Sequence, residues 1–126
     1  MPAKRSRLTR SSDFQRVYRQ GSSTASRFLV LHYFEQPAGT AGAEPRLGLS
    51  VSKKLGGAVV RNRVKRLLRE AFHDCAQRLP GDHDYVLIAR PQLTELLDRP
   101  DKGAVPAAVR DVFERAGLLE KGAPEA

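Results

Sequence analysis

Apolar positions recur along this chain in two rhythms, one helical and one alternating. From Ser12 to Gln20, Phe14, Val17 and Tyr18 fall on one helical face, and Gly21 stands where such a helix would stop. Ser12 and Gln15 have the spacing of a capping box. From Arg27 to Phe34 (RFLVLHYF) the rhythm changes, and aromatic and β-branched residues predict a strand. Its two faces are Phe28, Val30, His32 and Phe34 against Leu29, Leu31 and Tyr33. Both are largely apolar, so the strand needs cover on both sides or leaves one face open for binding. Gln36 to Pro45 is a loop rich in Gly, Ala and Pro. It leads to a second strand, Arg46 to Ser52, expected to return antiparallel as a long hairpin.

The longest helical pattern runs from Val59 to Leu79 and is stopped by Pro80-Gly81. At about 100° per residue, Val64, Leu67, Leu68, Ala71, Phe72 and Cys75 share one arc. Asn62, Lys65, Arg66, Arg69 and His73 lie roughly opposite, with Arg61 on the border and Arg63 on the other flank. Asp84 to Arg90 (DYVLIAR) reads as a third, buried strand. Gln92 to Leu97 forms a short helix after Pro91. Val105 to Leu118 forms the last helix, with Pro106 in its first turn. The order α-β-β-α-β-α predicts an α+β domain: a small two-layer sandwich with helices on one face of a mixed sheet. Residues 11–118 make the domain, residues 1–10 a flexible basic arm, and residues 119–126 a disordered tail.

Charge changes this picture. The chain has 126 residues, a net charge of +8 and 40% apolar residues, which fits one folded domain with an anionic partner. The charge is concentrated. Arg46 to Arg69 holds eight basic residues and no acid, and residues 1–19 hold six basic residues against Asp13 alone. Like charges that close destabilise the packed state unless a polyanion offsets them. Helices with solvated charged faces usually mix signs, but the first acid after Glu44 is Glu70. Arginine suits phosphate because its planar fork can grip two oxygens. Asn62 adds a neutral donor and acceptor. Ser50, Ser52, Lys53 and Lys54 close the second strand, and Gly56-Gly57 permit a sharp turn into the helix.

Other chemistry is thinly represented. No apolar run approaches the length of a membrane span, no signal-peptide core follows the basic start, and the one cysteine, Cys75, excludes an internal disulfide. A cytoplasmic location is expected. No Cys/His pattern suggests zinc, and no Walker loop occurs. Asp82-His83-Asp84 is the single local candidate for hydrolytic chemistry, but between Pro-Gly and a strand it reads as a turn. Cys75 lies on the apolar arc and belongs to the core.

The run SVSKKLGGAVVRNRVKRLLREAF resembles the signature of the protein subunit of bacterial ribonuclease P. The likeness extends from Asp13-Phe14-Gln15-Arg16-Val17-Tyr18 through Asp84 to Arg90. It implies a ribosomal-protein-like α/β sandwich with a left-handed βαβ crossover. It also implies a small partner of a catalytic ribonuclease P RNA, in a complex that cleaves precursor tRNA to give the mature 5′ end. The Mg²⁺ ions would be held by that RNA, with none bound stably by the protein alone. The protein itself would carry no catalytic residue and need neither a membrane nor another protein. By position, Lys53, Lys54, Arg61, Asn62, Arg63, Lys65, Arg66 and Arg69 would face the catalytic RNA. Phe14, Tyr18, His32, Ser50 and Ser52 would line the cleft for the 5′ leader. His32 departs from the aromatic residue expected in relatives. A ribosomal or RNA-chaperone protein also fits the composition, but residues 50–72 favour ribonuclease P. A DNA-binding helix lacks a preceding helix-turn-helix partner.

Overall fold

The computed structural model describes residues 7–37, 44–99 and 101–120. In chain order they form α1 (Ser11–Gln20), β1 (Ser22–Ala25), β2 (Leu29–Glu35), β3 (Arg46–Ser50), α2 (Ala58–Cys75), β4 (His83–Ala89), α3 (Thr94–Leu97) and α4 (Ala104–Arg115). The α+β class holds, with one strand more than the sequence pattern suggested. The sheet order is β1-β2-β4-β3. β4 runs antiparallel to β2 and parallel to β3, so α2 is the crossover between parallel neighbours.

The expected hairpin of the first two long strands is therefore wrong: β4 lies between them. Burial explains the choice. Asp84, Tyr85, Val86 and Leu87 are all buried, and a strand that apolar belongs at the sheet's centre. β2 makes its hairpin with β1 instead, pairing Ser22 with Tyr33 through Ala25 with Val30. The Ser26 hydroxyl holds the turn by accepting the N–H groups of Phe28 and Leu29 at 3.3 and 3.2 Å. Serine-rich and mostly exposed, β1 carries no apolar alternation to reveal it.

Helix ends also differ. α1 begins after Arg10 without a side-chain cap, so Ser12 and Gln15 form no capping box. Gly21 does stop α1, but in an extended conformation rather than a left-handed one. A Cβ there would collide with the Tyr33 carbonyl and lie 2.6 Å from that of Val17. α2 closes at Cys75 and tightens into a 3-10 turn, Ala76–Arg78. α4 stops short of the expected Leu118 because Gly117 turns at φ +76°, and Leu118 N–H bonds back to the Phe113 carbonyl at 3.1 Å.

The register sorts the sheet into two faces. On one, Leu29, Leu31, Leu47, Tyr85, Leu87 and Ala89 pack against Val64, Leu68 and Phe72 of α2 and Val109, Val112 and Phe113 of α4. The other face has three cross-strand rows. Phe34, Asp84 and Arg46 form the first; Ser23, His32, Val86 and Gly48 the second; Ala25, Val30, Ile88 and Ser50 the third. α1 covers the first two, packing Val17 onto Val86. The helices thus do not share one face as expected: α1 takes the second apolar face of β2. Leu8 joins it there, buried and bonded to the Leu47 carbonyl. Residues 1–6 of the expected arm and 121–126 of the expected tail lie outside the described residues.

A buried carboxylate fastens α1. Asp84 is fully buried and accepts from Arg46 through Nε and Nη2, both at 2.7 Å, and from Arg16 Nη2. Arg16 also donates to the Glu35 carbonyl at 2.7 Å, and its guanidinium lies 5.7 Å from the centre of the Phe34 ring. We expect Asp84→Asn to lower unfolding free energy by about 3–5 kcal/mol, because two partly buried cations lose their counter-charge. Urea denaturation measures this, and a loss below about 1 kcal/mol, as for a surface pair, would show the clamp to be dispensable.

Candidate nucleic-acid interface

The approach to α2 is built to gather positive charge. After β3 the Ser52 hydroxyl accepts the Lys54 N–H at 3.3 Å and starts a 3-10 turn, Lys53–Leu55. Leu55 is buried and anchors this turn, leaving Lys53 and Lys54 exposed. Gly56 follows at φ +145°, ψ −166°, a backbone state open essentially to glycine alone. Gly57 then caps α2 without a side chain, and no acid stands in its first turn. The positive end of the helix dipole therefore adds to the lysines.

Along α2, Val64, Leu68, Ala71, Phe72 and Cys75 are buried. Asn62, Arg63 and Arg66 are exposed, while Arg61, Lys65 and Arg69 form a half-buried stripe at i, i+4, i+8. The expected site residues of this group are thus brought onto one surface. Among the described residues, ion pairs join Arg16 and Arg46 to Asp84 and Asp13, Arg27 to Glu95, and Arg115 to Asp111. None involves Lys53, Lys54, Arg61, Arg63, Lys65, Arg66 or Arg69. Arg63 donates to the Leu97 carbonyl at 3.3 Å, and Arg61 Nε is buried with no partner. Burial, and then the charge of Arg7, pull Arg69 below the usual guanidinium value.

The expected cleft residues lie at the edge of α1 on the sheet's other face. Tyr18 is exposed and meets the His32 ring edge-on, centroids 4.9 Å apart at 77°. Burial raises the Tyr18 pKa and lowers that of His32, so both rings favour their neutral forms. Phe14 is only partly available. It is half-buried beside Leu8, Val17 and Val86, and a Cβ on Gly48 would lie 2.5 Å from its ring. Ser50 ends the partly covered third row, whereas Ser52 lies beyond the strand with its hydroxyl engaged as a cap. Sequence reading missed Ile88, which pairs with both Val30 and Ser50 and completes the row. Alternation along DYVLIAR could have found it, given the strand order.

The hydrolytic candidate is dispersed. Asp84 is held by two arginines, while Asp82 is exposed and bonds His83 Nδ1 at 2.8 Å. Among the described residues no group of three His, Cys, Asp or Glu is placed to hold a metal. Burial pushes the Cys75 thiol up to about 11, consistent with a core role. Among the described residues no helix is long and apolar enough to cross a membrane.

A parallel β3-α2-β4 unit carrying unpaired cations along its helix defines a small basic α+β domain. Residues 1–116 match the sequence family described as Ribonuclease P. The chain is 46% identical over 118 residues to the ribonuclease P protein component of Bacillus pumilus, covering 94% of this chain and 93% of that one. It resembles the solved RNase P protein of Staphylococcus aureus with a TM-score of 0.78 and 31% identity, over 91% of this chain and 98% of that one. A mutant of that protein with defective mRNA degradation activity gives a TM-score of 0.79 and 32% identity, over 92% of each chain. This chain belongs to the ribonuclease P protein family. Its role is that of the protein component of an endoribonuclease complex of tRNA processing, with an RNA partner.

Burial holds His32 below the ordinary imidazole value of 6.5, so just below that pH the unfolded chain binds the proton more readily. Stability therefore rises with pH through this window. We expect the gain in urea midpoint between about pH 5 and about pH 7.5 to shrink in His32→Phe. An unchanged gain would assign the effect to another group.

Proposed function

We propose that the outer face of α2, with Lys53 and Lys54, docks on the catalytic RNA of ribonuclease P. In the same reading the third row of the sheet, with Tyr18, His32 and the edge of Phe14, holds the single-stranded 5′ leader of precursor tRNA. The observation that carries the first half is the set of seven cations in no ion pair among the described residues. Released counterions would drive such docking, and arginine forks would fix its geometry. The second half is supported by neutral rings beside an apolar row. Bases stack on such surfaces with little sequence preference. Ser50 adds a hydroxyl at the end of the row.

Among the described residues no group of three His, Cys, Asp or Glu could hold a metal, and Asp84 is committed to two guanidinium groups. In this proposal Mg²⁺ belongs to the RNA and supplies the hydrolytic chemistry, while the protein binds, orients and neutralises. The complex would work in the cytoplasm and need no other protein.

Reconstitution tests the whole reading: purified protein added to ribonuclease P RNA at low Mg²⁺ should restore 5′ maturation of precursor tRNA. Cleavage by the protein without RNA would overturn it. Arg66→Ala should weaken assembly and flatten the slope of log affinity against log salt by about 0.7–0.9. Tyr18→Ala should cost about 1–3 kcal/mol in holoenzyme binding of precursor tRNA and leave mature tRNA unaffected. Equal losses for both substrates would remove the leader from the cleft.

A further inference from the structure

Nothing in the local pattern around Arg7 points to α2. Its backbone pairs in parallel with Leu47, and Leu8 donates its N–H to the Leu47 carbonyl at 2.9 Å. Residues 7 and 8 thus extend the sheet past β3. Neighbouring residues on a strand point to opposite faces. Leu8 is buried with Val17 and Val86 on the α1 face, so Arg7 projects to the face covered by α2. Arg69, which ends the half-buried stripe of Arg61, Lys65 and Arg69, feels its charge. The charge of Arg7 is close enough to Arg69 to disfavour the protonated guanidinium. The Nε atoms of Arg7 and Arg61 are both buried without a hydrogen-bond partner. Among the described residues, no ion pair includes Arg7, Arg61, Lys65 or Arg69.

Two half-buried guanidinium groups this close repel each other, and an anion between them removes the repulsion. A phosphodiester offers two unesterified oxygens that can accept from both forks. We propose that Arg7 and Arg69 together clamp one backbone phosphate of the ribonuclease P RNA, which makes the N-terminal segment part of that interface. The proposal rests on the reading of α2 as the RNA face. It assigns the phosphate to the catalytic RNA because Arg7 and Arg69 lie across the sheet from Tyr18, His32 and the third row. The two forks act as one site, so losing either opens it.

The test compares Arg7→Gln, Arg69→Gln, the double variant and Arg66→Gln in salt-dependent titrations with ribonuclease P RNA. Melting of each free protein is followed alongside. Each single variant of the pair should bind several-fold more weakly, with a salt slope lower by about one. The double variant should also lose about one in slope, not about two, because a single phosphate is released. Free Arg7→Gln should melt at or above the temperature of the parent, since a repulsion has been removed. Arg7→Lys, which keeps the charge and loses the fork, should bind between the parent and Arg7→Gln.

Parent-like binding by Arg7→Gln with weakened Arg66→Gln would overturn the clamp and leave the α2 reading standing. Parent-like binding by all variants would overturn both. A slope loss of about two in the double variant would mean separate phosphates, against the proposal. Weaker binding coupled to a lower melting temperature would mark Arg7 as structural. A loss confined to precursor tRNA binding by the holoenzyme would hand the pair to the substrate, again against it.

Discussion

Asp84 sits fully buried on the central strand of the sheet and shares its two oxygens between guanidinium groups from α1 and β3. A charge in that position is tolerable only if it is paired and hydrogen-bonded. The pairing fixes where α1 lies, because Arg16 can reach Asp84 and the Glu35 carbonyl only with the helix over the first row of the sheet. With that end fastened, Val17 seals the second row and Tyr18 comes to the border beside His32. The third row is only partly covered, Ile88 reaching the Val17 cluster, with aromatic rings along its margin. The candidate cleft is the part of the apolar sheet face that lies beyond the two rows along which α1 runs.

The clamp also divides the charge of the molecule. Asp84 and Asp13 neutralise Arg16 and Arg46 within the fold, and Arg27 and Arg115 have acids of their own. The cations from Lys53 to Arg69 receive no such partner among the described residues. Several are held close by the fold: Gly56 turns the chain sharply after the lysines, and Arg61, Lys65 and Arg69 stack at successive turns of α2. That arrangement costs the free protein stability through self-repulsion. A departure from local consistency of this kind is expected at a functional surface, where a partner completes the balance.

Much of this was legible in the chain. The α2 pattern gave both its apolar arc and its cationic face, because helical periodicity and charge sign are local properties. The doubly apolar strand around Val30 implied cover on both sides or an open face, and helices pack on both faces of the sheet. What failed was non-local. Nothing local in Arg46–Ser50 distinguishes a hairpin partner of β2 from a parallel neighbour of β4. The Ser22–Ala25 strand is too polar to alternate. The Arg16–Asp84–Arg46 clamp joins residues far apart in sequence, although a lone acid opening DYVLIAR was a signal that a buried partner was required. Phe14 was read as a cleft residue, yet much of its ring fills the space that Gly48 leaves.

The claim that the unpaired face of α2 is the one the RNA covers can be tested by arginine modification. Phenylglyoxal would be applied to the protein alone and to the protein assembled with ribonuclease P RNA, with each site read by mass spectrometry. Arg63 and Arg66 should become protected in the complex. Arg27 and Arg115, exposed but already paired with Glu95 and Asp111, should keep their reactivity. Protection of Arg27 and Arg115 with Arg63 and Arg66 still reactive would contradict the account.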